Sequence, residues 1–208
     1  MDALGYTEVP PTTSGVQIVM KQYKVVKVSG PIVAKPDTCV GYLQHGSISD
    51  TLLHTLLETT HILCSFGPLQ KKYSSQRREG LTMRIGFWRR YSSILYESAD
   101  FKNQWSKWWA IVNEPVWKLA SDLLKQHFPS VHKILQGVRV PHKFGSWHMA
   151  VLNVNLAVTP HCDDFDHIKG VCCVIVFGEF DGGELCFPDE LICVKVKYGT
   201  FIQRNLNM

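Results

Sequence analysis

The sequence predicts an α+β fold in which helices come first and short β-strands follow. Three observations lead to this prediction. Apolar residues recur at helical spacing between residues 47 and 137, the pattern changes to short alternating runs after residue 140, and Gly, Pro and Asp separate those runs. Regularly spaced short strands favour a β-sandwich or a barrel, packed by the upstream helices. With 208 residues, 45% of them hydrophobic, the chain can bury a substantial core.

We expect residues 1–16 to form a flexible arm, because two prolines and several small residues interrupt any periodicity there. Residues 17–208 are predicted to be one domain, with a supporting region of helices and strands over 17–140 and a β-rich core over 141–208. No run approaches the roughly 20 apolar residues of a membrane span, and the first residues lack the pattern of a signal peptide. We therefore expect an intracellular protein, in the nucleus or the cytoplasm, with no membrane partner.

The supporting region is predicted to begin with β-structure and to continue with a helix. β-Branched residues over 17–30 indicate one or two short strands that end at residues 30–31. Leucines at helical spacing predict a helix within residues 47–64, with Ser47 and Ser49 as candidates for the N-cap. His54 and His61 lie on similar sides of that helix, where they could bind a metal or be ordinary helix residues.

Apolar periodicity predicts the next elements. Residues 81–88 indicate a strand that Gly80 bounds. Trp105, Trp108 and Trp109, at positions i, i+3 and i+4, mark one apolar face of a helix, and a place in the core explains them better than a ligand cage.

The next helix after the tryptophan-containing one is predicted to begin at Asn113, with Pro115 in its first turn, and to end before Pro129. A short helical turn follows, which Gly137 ends. After it, strands are predicted over 148–158, 171–178, 184–188, 192–198 and 200–204.

Seven cysteines, an odd number, lack the paired short spacings of a zinc site. Cys172 and Cys173 are adjacent in a predicted strand, so their side chains point to opposite faces and do not suit one metal. We expect reduced thiols that pack in the core. A zinc-bound structural module that combines cysteines with His161 and Asp163 is an alternative that the spacing disfavours.

Residues 71–90 form a basic segment in a chain whose net charge is +4. Seven basic residues face a single acid there, Glu79, and aromatic residues alternate with them. Such a segment can follow a phosphate backbone and stack on bases, so nucleic acid is a candidate partner. The alternative is a solvated loop that leads into a strand.

The stretch TPHCDDFD places His161 and Asp163 two positions apart, directly after a strand-like run. Alternate residues of an extended chain project to the same side, about 6–7 Å apart, so both side chains can reach one ion. Two histidines and one carboxylate on one face form the iron site of non-haem oxygenases. An H-x-D triplet alone, however, also occurs by chance in loops.

The motifs around this triplet come in a specific order. SWHMAVLNVN precedes it, and a G-x-F-x-G-G-x-L-x-x-P hairpin at residues 178–188 and a glycine-initiated strand, KYGTFI, follow it. This order resembles the double-stranded β-helix core of the Fe(II)/2-oxoglutarate-dependent dioxygenase superfamily. It is most similar to the fungal branch related to the TET/JBP-type hydroxylases of methylated bases. The resemblance covers residues 141–204.

The resemblance implies an incomplete double-stranded β-helix, or jelly-roll, core that the N-terminal helices pack. It implies that His161 and Asp163 are two of the three iron ligands, and that Asn153 and Asn155 contact the cosubstrate or the substrate. Hydrogen bonding at the end of a strand is an alternative role for both asparagines. The implied cofactors are Fe(II) and 2-oxoglutarate, and the implied reaction hydroxylates a C–H bond while 2-oxoglutarate is decarboxylated to succinate.

Two parts of the family's pattern are missing from the sequence. The family has a second iron-ligating histidine on the strand after GTFIQR and a basic residue beyond it that holds 2-oxoglutarate, but only His167 follows His161 before Met208. Arg204 precedes the place of the distal histidine, so we do not assign it the cosubstrate role. We expect the last two core strands to be absent and the exposed sheet edges to invite association. The chain is then a shortened enzyme, or one that a partner completes.

Two functions follow from these expectations. The first is a dioxygenase, with little or no activity as an isolated chain, whose substrate is a modified nucleic-acid base such as 5-methylcytosine, a protein side chain or a small molecule. The second is a non-catalytic binding or regulatory protein that keeps the substrate-facing surface.

Overall fold

The computed structural model describes residues 24–35, 38–67, 70–71, 81–88, 95–138, 140–141, 143–155, 170–180, 183–187 and 190–205. Four α-helices lie in this part of the chain: α1 (Asp50–Phe66), α2 (Gln104–Val112), α3 (Glu114–His127) and α4 (Pro129–Gln136). None of the four has both the length and the apolar composition that crossing a membrane would require.

The helices confirm the periodicity of the sequence. The Ser49 hydroxyl caps α1 by accepting a hydrogen bond from the Leu52 amide. Pro115 lies in the first turn of α3, where its missing amide hydrogen removes no bond. The segment predicted as a short turn is a full helix, α4, which begins at Pro129 and ends at Gln136, with Gly137 as its C-cap.

Eleven strands occur in the same residues. They are β1 (Lys24–Val26), β2 (Gly30–Lys35), β3 (Thr38–Gln44), β4 (Gln70–Lys71), β5 (Leu81–Trp88), β6 (Tyr96–Glu97), β7 (Met149–Val154), β8 (Val171–Val176), β9 (Leu185–Phe187), β10 (Ile192–Val194) and β11 (Thr200–Asn205). Strands β5 and β7–β11 occupy the predicted segments, and the α+β class is confirmed. The expectation that β-structure ends at residues 30–31 is wrong, because β2 begins at Gly30 and pairs with β3.

The strands form three sheets, and none of them closes on itself within the described residues. One has the order β2-β3-β11-β8, a second the order β1-β10-β9, and in the third β5 pairs with β4, β6 and β7. All pairings are antiparallel except that of β1 with β10. The C-terminal strands are therefore not a separate unit, since β11, β10 and β7 each pair with a strand from the first half of the chain.

The sheet with the order β2-β3-β11-β8 lies between the helices and the three-stranded sheet β1-β10-β9. In β11, Phe201 packs in a core cluster with α1, α2, α3, β5 and β7, whereas its neighbour Ile202 packs in a second cluster with β9 and β10. This alternation is what a strand buried on both faces requires. Gln203 faces the helices again, and its amide group donates a hydrogen bond to the Ala120 carbonyl oxygen in α3 at 3.1 Å.

Gly86 allows β5 and β7 to approach closely. Its φ of +129° is a conformation that favours glycine, and a Cβ atom there would overlap the His148 carbonyl oxygen.

We expect Gly86→Ala to lower the free energy of unfolding by at least about 2 kcal/mol, measured by urea denaturation. Gly46→Ala is the control, because Gly46 also has a positive φ but no atom within 4 Å of its Cβ position, and it should cost only about 1–2 kcal/mol. Equal losses in the two variants would contradict this account.

Candidate functional site

The predicted iron ligands His161 and Asp163 lie outside the described residues, within the connection 156–169 between β7 and β8. The strands on both sides of this connection are defined. Strand β7 ends at Val154, and Asn155 adopts a φ of +49°, a left-handed conformation that asparagine tolerates better than most residues. The strand before the H-x-D triplet therefore ends seven residues before His161, and β8 begins eight residues after Asp163.

Asn153 makes a cross-strand hydrogen bond. It is directly opposite Thr82 in β5, and the Thr82 hydroxyl donates to the Asn153 Oδ1 atom at 2.9 Å. The neighbouring pair Met83 and Leu152 packs in the helix-side core, so Asn153 points to the other face of this sheet, where it is exposed. This is the strand hydrogen bonding named above as the alternative role. The contact of Asn153 and Asn155 with a cosubstrate stays a prediction.

The described residues contain no metal-binding cluster of their own. No group of three or more His, Cys, Asp and Glu side chains that could hold a metal ion occurs among them. On α1, the His54 Nδ1 atom lies 3.3 Å from a carboxylate oxygen of Glu58, one turn further along the exposed surface. The alternative of an ordinary helix residue thus accounts for His54.

Arg204 is already paired within the chain. Its Nη2 atom lies 3.0 Å from Glu190 Oε1, and its guanidinium group lies over the Phe187 ring, 4.2 Å from the centroid. Strand alternation places Arg204 on the same side of β11 as Ile202. That side faces the three-stranded sheet β1-β10-β9. An arginine held by a carboxylate and an aromatic face is a poor anchor for a second carboxylate, which agrees with leaving the cosubstrate role unassigned.

Of the basic segment 71–90, the structure describes residue 71 and the strand β5. Arg84 has an exposed side chain, and its backbone is held on both sides. The Asp100 carboxylate accepts a hydrogen bond from the Arg84 amide at 2.7 Å, and the Ser98 hydroxyl donates to the Arg84 carbonyl oxygen at 2.6 Å. The structure thus fixes the backbone at Arg84 while its cationic group remains at the surface. The other arginines and lysines of the segment, apart from Lys71, lie outside the described residues.

Sequence reasoning missed two contacts of the β9–β10 hairpin. One is the Arg204–Glu190 pair, and the other is the meeting of Cys186 with Cys193, whose Cα atoms are partners in the antiparallel register. The sequence came within one residue of the second contact. The predicted strands 184–188 and 192–198 flank a turn centred on residue 190, which would place Cys186 opposite Val194, whereas the observed register pairs Cys186 with Cys193.

No protein-family model, curated protein or solved structure matches the chain significantly. The resemblance to the dioxygenases therefore rests on the order of the motifs in the sequence and stays a prediction.

The Thr82–Asn153 bond can be measured by a double-mutant cycle. For Thr82→Val and Asn153→Ala we expect a coupling free energy of about 0.5–1.5 kcal/mol in urea denaturation, the usual net value of one hydrogen bond. A control cycle pairs Thr82→Val with Asn155→Gly, since Asn155 follows the end of β7 and is not opposite Thr82. Its coupling should be close to zero, and a similar coupling in both cycles would refute a specific bond.

Proposed function

We propose that the chain is related to the Fe(II)/2-oxoglutarate-dependent dioxygenases and binds iron through His161 and Asp163. The observation that carries this proposal is the place of the H-x-D triplet, between a strand and a folded antiparallel ribbon. The triplet follows β7, and the ribbon is formed by the next four strands along the chain.

The ribbon is a pair of nested hairpins. Strand β8 pairs with β11, and β9 pairs with β10 inside the same loop, but the two pairs belong to different sheets. The connection 177–184 has eight residues and the connection 195–199 has five, so both chains of the ribbon cross from one sheet to the other together. An antiparallel ribbon that folds over an apolar interior is how a jelly-roll is built. This topology supports an incomplete double-stranded β-helix core.

The chemistry of the two side chains suits iron. A neutral imidazole nitrogen and a carboxylate oxygen are two of the three protein ligands in non-haem iron oxygenases. When bound, Fe(II) would activate O2, the oxidant for C–H hydroxylation, with two electrons coming from the decarboxylation of 2-oxoglutarate to succinate, while His161 and Asp163 would hold the metal. With two protein ligands, we expect weak iron binding and little or no turnover by this chain alone.

Metal binding can be tested by titrating the full chain with Co(II), as a stable substitute for Fe(II), and following its visible absorption. We expect His161→Ala and Asp163→Asn each to weaken binding about tenfold or more, because each removes one ligand. His167→Ala and Asp166→Asn are matched controls, since they change the same residue types nearby without touching the triplet. Equal affinity in all five proteins would refute the iron site.

The same proteins decide whether the chain is active. With added Fe(II), the wild-type chain should form no more succinate from 2-oxoglutarate than the His161→Ala variant forms. Iron-dependent succinate formation that His161→Ala abolishes would instead show a working enzyme and refute the expected loss of turnover.

A nucleic-acid base is the substrate that we propose, because the basic segment 71–90 includes the exposed Arg84. Affinity for a DNA duplex should fall as salt rises, since phosphate contacts release counterions. Arg84→Ala should reduce the slope of log affinity against log salt by about 1. Lys118→Ala is the control, because Lys118 is an exposed cation on α3 that pairs with Asp122. Binding that salt does not weaken would refute a nucleic-acid partner.

A non-catalytic binding or regulatory protein is the second candidate. The engagement of Arg204 by Glu190 favours it, because an arginine that is already paired is a poor anchor for the carboxylate of a cosubstrate. Salt-dependent DNA binding that His161→Ala leaves unchanged, in a chain without turnover, would support this function.

A further inference from the structure

Two cysteine side chains meet on the face of the three-stranded sheet that points away from the apolar cluster between the sheets. Cys186 in β9 is directly opposite Cys193 in β10, and the Cys186 thiol donates a hydrogen bond to the Cys193 sulfur at 3.4 Å. The residues on either side of them, Leu185, Phe187, Ile192 and Val194, pack in the cluster between the sheets. Because side chains alternate along a strand, both cysteines point away from that cluster.

The backbone already has the separation that a disulfide needs. Directly opposed residues of an antiparallel pair have Cα atoms about 4.5–5.5 Å apart, inside the roughly 4.4–6.8 Å range of disulfides. The sulfur atoms must approach from 3.4 Å to about 2.05 Å. Small rotations of the two side chains can supply this approach while the strands stay paired.

We propose that Cys186 and Cys193 form a reversible redox site, a dithiol that a peroxide oxidises to a disulfide across the β9–β10 hairpin. The Cys186 sulfur attacks one peroxide oxygen, the O–O bond breaks, and a water leaves as Cys186 becomes a sulfenic acid. The Cys193 sulfur then attacks the Cys186 sulfur, the S–O bond breaks, and the released hydroxide takes up the thiol proton as a second water. The two thiols lose two electrons, which reduce the peroxide to water.

The exposure of the two residues assigns these roles. Cys193 is fully buried, whereas Cys186 is half-buried and so is the thiol that a solvent oxidant can reach. The hydrogen bond to Cys193, followed by burial, raises the pKa of the Cys186 thiol. Since the thiolate is the nucleophile, the first step is slow at neutral pH, and the site responds to sustained rather than brief exposure to peroxide.

The disulfide would close a small loop around the hairpin turn. This turn contains Glu190, the partner of Arg204, and Leu191, whose φ is +53°. A cross-link restricts the unfolded chain, so oxidation should raise the thermal stability of the chain. The link also holds together the two strands that carry one side of the apolar cluster between the sheets.

The test is peroxide titration of the reduced full chain, followed by alkylation of the remaining thiols and peptide mapping. Cleavage before Asp189 separates the two cysteines, so a disulfide keeps the two fragments joined until a reductant is added. We expect this joined pair in the wild-type chain, with a Tm that rises by several degrees and returns after reduction. The wild-type measurement requires no variant and does not depend on the metal site.

Two variants complete the test. Cys193→Ala should lose the joined pair and accumulate at Cys186 a sulfenic acid that dimedone labels, with its fold checked by circular dichroism. Cys39→Ser should keep the joined pair, because Cys39 is an exposed thiol on another sheet. The redox site is refuted if Cys186 and Cys193 both still react with the alkylating reagent after a peroxide dose that oxidises Cys39. It is also refuted if Cys186 forms a disulfide with another cysteine.

Discussion

Strand β11 is the element on which the rest of the structure depends. It has a hydrogen-bonded neighbour on each side, β3 and β8, and an apolar cluster against each face. Phe201 and Ile202 are both fully buried, one toward the helices and one toward the three-stranded sheet. Burial of such a side chain contributes about 1.5–3 kcal/mol. A change in this strand is therefore transmitted to both halves of the core.

The polar residues of β11 make specific bonds on both faces. Gln203 bonds to α3, and Tyr42, directly opposite it in β3, stacks on the ring of His127 at 3.6 Å between the centroids. Burial lowers the pKa of His127. On the other face, Arg204 reaches Glu190. Loss of the Gln203 bond would leave a buried donor without a partner, at a cost of roughly 1–3 kcal/mol, so this bond favours the observed position of α3 against β11.

The sequence predicted the elements that local patterns determine. Helices α1, α2 and α3 follow from apolar spacing, and strands β7–β11 from short runs between turn residues. Strands β2 and β3 were missed because Gly30, Pro31 and Pro36 are turn signals. Pro31 lies near the start of β2 at the edge of its sheet, where a missing amide hydrogen is tolerated. The partner of β3 is β11, from the other end of the chain, and no local pattern reveals such a pairing.

The same distinction applies to the candidate site. The spacing of His161 and Asp163 predicts that they lie on one side of an extended segment, and this prediction falls outside the described residues. The bond of Asn153 to Thr82 depends on the register of β7 with β5, and the pairing of Arg204 with Glu190 depends on how the ribbon folds over. Both are long-range consequences of sheet packing. Contacts that join distant segments therefore required the structure, whereas the iron site of His161 and Asp163 stays a prediction.

Energetic magnitudes show what holds the β9–β10 hairpin in place. The left-handed conformation of Leu191 destabilises the folded chain by roughly 1–2 kcal/mol. A partly exposed ion pair such as Arg204–Glu190 stabilises it by only about 0–1 kcal/mol. Burial of Phe187, Ile192 and Val194, at about 1.5–3 kcal/mol for each side chain, outweighs both. The inner apolar face thus determines the position of the hairpin, and this leaves its outer face and its turn free to carry chemistry. A covalent link between Cys186 and Cys193 would then add to an arrangement that already exists, without having to create it.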